Sequence, residues 1–229
     1  MTAIVGDLGP EVMFAKGGTM VRPPRRYALV VTSHRGDLYL PWTLGLAREM
    51  LPWDSFVQRL VIDDAGGAPE GNDYALMRAP QRLGLAEAVR AAWSLVMQSA
   101  PTHVFHLEED FHLTEPVDLD AMADVLDEYG NLAQLTLKRQ PWNPQEAAAG
   151  GIVEANPDAY VQVDHPHVWT QHRECFSLNP SLIPARVIRG GWPVGNEAEQ
   201  TARLVGDGAV FGFWGGKWDP PRCVHVGAQ

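Results

Sequence analysis

His103-Val104-Phe105-His106-Leu107-Glu108-Glu109-Asp110-Phe111 is the stretch on which the reading of this chain turns. Val104–Leu107 reads as a buried strand, and the carboxyl end of such a strand is where an open α/β sheet places ligands. Three adjacent acids there repel one another unless solvent or a cation compensates. Two readings follow: a solvated acidic loop, or a site for a divalent metal and a nucleotide.

The residues on either side extend the pattern. Upstream, Tyr27–Ser33 is a near-continuous apolar run, as expected of a strand covered on both faces, and it opens into the polar turn His34-Arg35-Gly36-Asp37. A helix follows with Pro41 in its first turn and Leu40, Leu44, Ala47 and Leu51 on one face. Val57–Ile62 reads as a second strand ending in Asp63-Asp64, and residues 68–82 as a loop. Leu85, Val89, Ala92 and Val96 then mark a helix. Downstream, Asp118 caps a helix carrying Leu119, Met122, Leu126 and Tyr129, stopped by Gly130, and Leu132–Leu137 is the next strand. This β-α alternation predicts a single Rossmann-like α/β sheet, mainly parallel, with helices on both faces.

Beyond Lys138 the pattern loosens. Residues 139–175 read as irregular, with a short antiparallel strand at Tyr160–Val163. Glu174–Leu178 reads as a strand, Ser181–Ile188 as a short helix, and Asn196 as the cap of a helix reaching about Val205. Val210–Phe213 and Arg222–Val226 are short strands. Residues 1–25 are an N-terminal extension, and 26–229 one domain with a donor half (about 26–138) and an acceptor half (about 139–229).

Composition narrows the function classes. With 229 residues, 45% hydrophobic, the chain can bury a core, and a net charge of −10 argues against a large duplex-binding face. It also makes a divalent cation a natural partner for anionic substrates. The two cysteines, Cys175 and Cys223, lack metal-site spacing and fit free thiols in a reducing cytoplasm. No apolar run is long enough for a membrane span, so the expected setting is cytoplasmic.

Taken together, Val30-Val31-Thr32-Ser33, Asp63-Asp64, Glu108-Glu109-Asp110, Asn196-Glu197 and His225 resemble a GT-A glycosyltransferase of the family 2 style, including small bacterial and phage enzymes. The resemblance implies a metal-dependent transfer of a sugar from a nucleotide-sugar, uridine-based in this family, to an acceptor hydroxyl, with Mn²⁺ or Mg²⁺. Glu108-Glu109-Asp110 then stands for the D-x-D motif. It implies Asp110 as metal ligand, Glu108 near the ribose or a metal-bound water, and Glu109 beside them on the donor side. Hard oxygen ligands bridging to phosphate suit both cations.

The same resemblance implies Thr32, His34 and Arg35 near base and ribose, Asp63 as acceptor for a base N–H, and Arg82 on the phosphate side. Glu197 becomes the general base, with Glu199 as its alternate, and His225 a second metal ligand. Turn, cap and helix-dipole duties account equally well for Thr32, Asp63 and Glu197 taken singly. Trp214-Gly215-Gly216-Lys217-Trp218 reads either as a lid whose Lys217 meets phosphate or as a pinned turn. The acceptor is open between a hydroxymethylated pyrimidine in phage DNA, a protein and a glycan. Arg139, His165, His167 and Arg173 form a candidate positive rim for it.

Other classes remain in view. His165-x-His167 with His172 and Glu174 resembles a cupin-type metal site, but cupins need many short antiparallel strands. A nucleotidyltransferase and a non-catalytic nucleotide-sugar or glycan-binding module complete the alternatives.

Overall fold

In the computed structural model, residues 24–35, 38–64, 66–140 and 152–228 are described. The elements run in chain order β1 (Tyr27–Ser33), α1 (Leu40–Met50), β2 (Phe56–Asp63), β3 (Ala75–Arg78), α2 (Leu85–Val96), β4 (His103–Glu108), β5 (Phe111–Leu113), α3 (Leu119–Glu128), β6 (Leu132–Thr136) and β7 (Arg139–Gln140). There follow β8 (Val161–Val163), β9 (Trp169–His172), β10 (Ser181–Pro184), α4 (Ala185–Arg189), α5 (Glu197–Gly206), β11 (Val210–Trp214) and β12 (Cys223–His225). The expected N-terminal extension lies almost wholly outside the described residues, as does part of the irregular segment.

A nine-stranded sheet in the order β3-β2-β1-β4-β10-β6-β11-β9-β8 forms the frame. Its donor half, β3 to β4, is parallel. β10 runs antiparallel to both β4 and β6, and β9 antiparallel to β11 and β8, which supplies the expected antiparallel part on the acceptor side. A second, small sheet, β5-β12-β7, stands against the end of β4.

Period-two alternation sends the apolar side chains of β1 and β4 to both faces of the sheet. Tyr27, Leu29 and Val31 join Phe105 and Leu107 in a core under α1 and α3. Ala28 and Val30 join Val104 in a second core under α2, α4 and α5. Each strand is therefore buried on both faces. His106 is also fully buried, and burial lowers its pKa to about 4, so it is neutral.

Three local expectations are corrected. Ser181–Ile188 is not one helix: Ser181–Pro184 is β10, and the helix begins at Ala185. Proline lacks the N–H a helix interior requires, so Pro184 sits at the N-cap and the buried Ser181–Ile183 fills the slot between β4 and β6. Glu174–Leu178 is not a strand. The N–H groups of Phe176, Ser177 and Leu178 donate to side chains instead of a ladder, namely to Thr201 Oγ1 (2.8 Å), Gln134 Oε1 (3.0 Å) and the Glu197 carboxylate. Residues 68–82, read as loop, contain the edge strand β3, whose short, half-exposed Ala-Leu-Met-Arg carries no alternation signal.

No helix among the described residues is long and apolar enough to cross a membrane.

Candidate functional site

The carboxyl ends of β1, β2 and β4 open into a cleft of about 260 Å³, lined by Thr32, Ser33, His34, Asp64, Arg82, Gly84, Leu85, Ala88, Glu108 and Glu109. The hydroxyls of Thr32 and Ser33 are buried and make no hydrogen bond within the protein. The start of α2 faces the same space, and a helix N-terminus favours negative charge. Gly84, which caps that helix, has a φ of +80°, a backbone region that favours glycine. Arg82 is exposed at the rim.

Asp63 does not line this cleft. It is wholly buried, and its two carboxylate oxygens accept from Gly66 N and Ala68 N, both at 3.0 Å, so it shapes its own turn. Asp64 lines the cleft instead and holds the N–H groups of Leu83 and Gly84. Alternation at the end of β2 was the signal that could have separated the pair.

Glu109 turns back toward β1. Its Oε1 accepts from the backbone N–H of His34 and Arg35, both at 3.2 Å, and lies 3.1 Å from His34 Nδ1. It thus fixes the loop that closes one wall of the cleft. Burial raises its pKa.

Asp110 points the other way, into the small sheet. Its Oδ2 accepts from His225 Nε2 at 3.2 Å and lies 3.8 Å from an Arg35 guanidinium nitrogen. Burial pushes this carboxyl up, but the hydrogen bond from His225, with Arg35 beside it, outweighs burial and holds it below its ordinary value. The ring of His225 stacks on Phe111 at 4.5 Å and 3°. A Cβ at Gly227 would collide with the Asp110 carboxylate, so the chain must lack a side chain there.

Arg139, expected on a positive rim, is instead buried, only 3% exposed. Its guanidinium hydrogen-bonds His225 Nδ1 and lies 5.6 Å over the Phe111 ring. After burial and Cys223, its environment is dominated by the charges of Glu108, Glu197 and Asp110. Sequence reasoning placed this residue on the acceptor rim and missed its bond to His225; the basic pair Lys138-Arg139 just past a strand end was the available signal.

Glu197 opens α5, and its Oε1 accepts from Leu178 N. Burial raises its pKa, opposed by the Leu178 and Ser177 hydrogen bonds and by Arg139. Glu108 is pushed well above its ordinary value by burial, then by the charges of Glu197, Asp110 and Glu109, with Arg139 opposing. Glu199, by contrast, is exposed and committed to capping: its N–H donates to Asn196 Oδ1 and its Oε2 accepts from Gly195 N, each at 2.9 Å.

Lys217 stands away from the cleft, beside a small pocket that it shares with Lys138, Arg139 and Asp219. Its loop is pinned: the buried Lys138 ammonium donates to the carbonyls of Gly216 (2.5 Å), Lys217 (2.8 Å) and Asp219 (3.2 Å). Replacing Lys138 by Met leaves these carbonyls without their donor, at a cost of about 2–3 kcal/mol. We expect the thermal midpoint to fall by about 5–10 °C. A midpoint within a degree or two of the parent would show that the ammonium does not hold this loop.

The cupin-like histidines do not converge. His172 is buried in an aromatic cluster with Tyr160, Phe211 and Phe213, where burial lowers its pKa to about 3. His167 lies 3.3 Å from Asp124, and the His165 carbonyl accepts from Tyr129. Among the described residues, no group of three or more His, Cys, Asp or Glu side chains is arranged to hold a metal ion. A cation here would need oxygen ligands from a substrate.

The overall fold is shared with known structures. The crystal structure of GalNAc-T7 with UDP, GalNAc and Mn²⁺ matches 90% of this chain and 44% of its own, at 12% identity and a TM-score of 0.57. The fold is GT-A. The GT-A mannosyltransferase PcManGT from Pyrobaculum calidifontis, in complex with GDP-Man and Mn²⁺, is 16% identical over 89% of this chain and 57% of that one, with a TM-score of 0.52. S. aureus TarS (residues 1–349) is 12% identical over 88% and 60%, with a TM-score of 0.57. This GT-A chain spans about half the length of these structures. No protein-family model and no curated protein sequence matches it.

Proposed function

We propose that this protein is a glycosyltransferase that moves a sugar from a nucleoside diphosphate sugar to an acceptor hydroxyl with the help of a divalent cation. The observation that carries the reading is that Glu108 lines a cleft at the carboxyl ends of β1, β2 and β4 while Asp110, two residues on, is paired with His225. Two structures of the same fold hold Mn²⁺ together with a uridine or guanosine nucleotide, which supports the cofactor and donor class.

The donor set fits a cation. Asp110 Oδ2 and His225 Nε2 are 3.2 Å apart, close to the roughly 3.0 Å between neighbouring ligand atoms of an octahedral site with 2.1 Å bonds. A carboxylate and an imidazole suit Mn²⁺, and substrate phosphates would supply further oxygen ligands. A bound cation supplies Lewis-acid stabilisation of the departing diphosphate. In this reading the cleft takes the nucleoside, with Thr32, Ser33 and Asp64 offering hydroxyl and carboxylate contacts and Arg82 the phosphate side. His34 and Arg35 sit beside it, and Lys217 stands beyond Arg139.

Glu197 is the base. It takes the acceptor hydroxyl's proton while the oxygen bonds the anomeric carbon and the diphosphate leaves with the bonding pair. The raised pKa brings the carboxylate closer to working pH, where a general base is most effective. A single displacement inverts the anomeric configuration. The acceptor class, whether a hydroxymethylated base in DNA, a protein or a glycan, is carried forward from sequence.

The test is turnover. UDP- and GDP-sugars are incubated with the protein and Mn²⁺, and released nucleoside diphosphate and the anomeric configuration of the product are followed. Release that stops on chelation, with inversion, is expected. Release indifferent to chelation, or binding with no release from any donor, would sink the reading, the latter leaving a binding module.

A further inference from the structure

Arg139 and His225 hold an arrangement that a cation on Asp110 and His225 cannot share, an argument that rests on the function proposed above. A guanidinium donates and never accepts, so the bond from Arg139 makes Nδ1 of His225 the acceptor. The proton of the neutral ring is then on Nε2, donated to Asp110. A metal taken at Nε2 needs that nitrogen's lone pair, which moves the proton to Nδ1 and sets it against the Arg139 N–H. Turning the imidazole over does not avoid the conflict: the ring keeps its plane on Phe111, but a carbon then replaces Nε2 beside Asp110. Nor can Arg139 simply drift into solvent: it is buried, over the same ring, within the field of Glu108 and Glu197.

We propose that Arg139 is a positioning residue that serves as the resident cation of the acid cluster in the ligand-free protein and yields His225 to the divalent cation when the donor binds. The bond to His225 and metal ligation are mutually exclusive states of one element, so nucleotide and metal binding become linked through it. Released from Nδ1, the guanidinium is left within the field of Glu108 and Glu197. The absence of a three-ligand group among the described residues agrees, since it leaves the free metal weakly held until the donor arrives.

The experiment compares Mn²⁺ affinity, by electron paramagnetic resonance of free Mn²⁺, for the parent and Arg139→Met, each with and without UDP. Without nucleotide the variant should bind Mn²⁺ roughly tenfold more tightly, and the gain conferred by UDP should shrink by a similar factor. A mere loss of nearby positive charge would tighten Mn²⁺ equally in both states; an unchanged UDP gain therefore overturns the proposal. A second readout needs no variant. In the parent, ¹⁵N spectra should show His225 as the Nε2–H tautomer alone and as Nδ1–H with Mg²⁺ and UDP; retention of Nε2–H overturns the proposal. If the parent takes up neither Mn²⁺ nor UDP, the glycosyltransferase reading falls and takes this one with it. If it takes up both and either signature is missing, only the role of Arg139 falls.

Discussion

Replacing Glu197 by Gln is expected to lower kcat by about 10²–10⁴-fold while leaving the fold and donor binding intact. The amide keeps an oxygen that can accept from Leu178 N, so the connection between α5 and the Phe176–Leu178 segment survives. What disappears is the carboxylate able to take a proton. The pH profile supplies a second signature. Because burial raises the folded-state pKa, the parent's rate should climb along a limb lying above the ordinary carboxylate range, and the Gln variant should lack it.

Stability runs the opposite way. A carboxyl with a raised folded pKa binds more protons in the native state than in the unfolded chain. Its contribution is therefore full below the unfolded value and is lost as pH rises through the folded one. Glu108 shares this sign. At neutral pH Glu197→Gln should thus unfold no earlier than the parent. A variant with parental kcat would remove Glu197 from the chemistry. One that is inactive because it is unfolded would mean that α5 depends on the charge.

Asp110→Asn is expected to remove metal-dependent turnover by about 10³-fold, the equivalent of about 4 kcal/mol of lost stabilisation of the leaving diphosphate. The Asp110 carboxylate is held ionised by His225, so at neutral pH it is ready to receive a cation. The amide is isosteric and can still accept from His225 Nε2, and the close packing of Gly227 is preserved. Loss of activity would then report loss of charge rather than of shape. Unchanged dependence on Mn²⁺ in the variant would shift the metal away from the small sheet altogether.

Much of this arrangement is legible in the chain because its period matches its surroundings. β1 and β4 carry apolar residues toward both faces since both faces of the sheet are covered, and α3 and α5 carry their caps in sequence. The strand-end acids are visible for the same reason: β4 stops where its alternation meets Glu108. What stays hidden is set by partners distant in sequence. Ser181–Pro184 becomes a strand because β4 and β6 leave a slot, and Phe176–Leu178 stays outside the ladder because Gln134, Glu197 and Thr201 satisfy its amides. Arg139 reads as a surface charge until β7 pairs with β12 and carries it beneath His225. Three histidines of the acceptor half read as a metal set, yet His172 alternates inward among aromatic rings while His165 and His167 lie toward α3.

The most direct measurement is calorimetric titration of UDP and of GDP into the protein with and without Mn²⁺, repeated on Asp110→Asn. Binding of one nucleotide that strengthens at least tenfold with Mn²⁺, and loses that gain in the variant, is the predicted result. Equal affinity with and without the metal in the parent, or an Mn²⁺ gain that survives in Asp110→Asn, would contradict a cation held at Asp110 and His225.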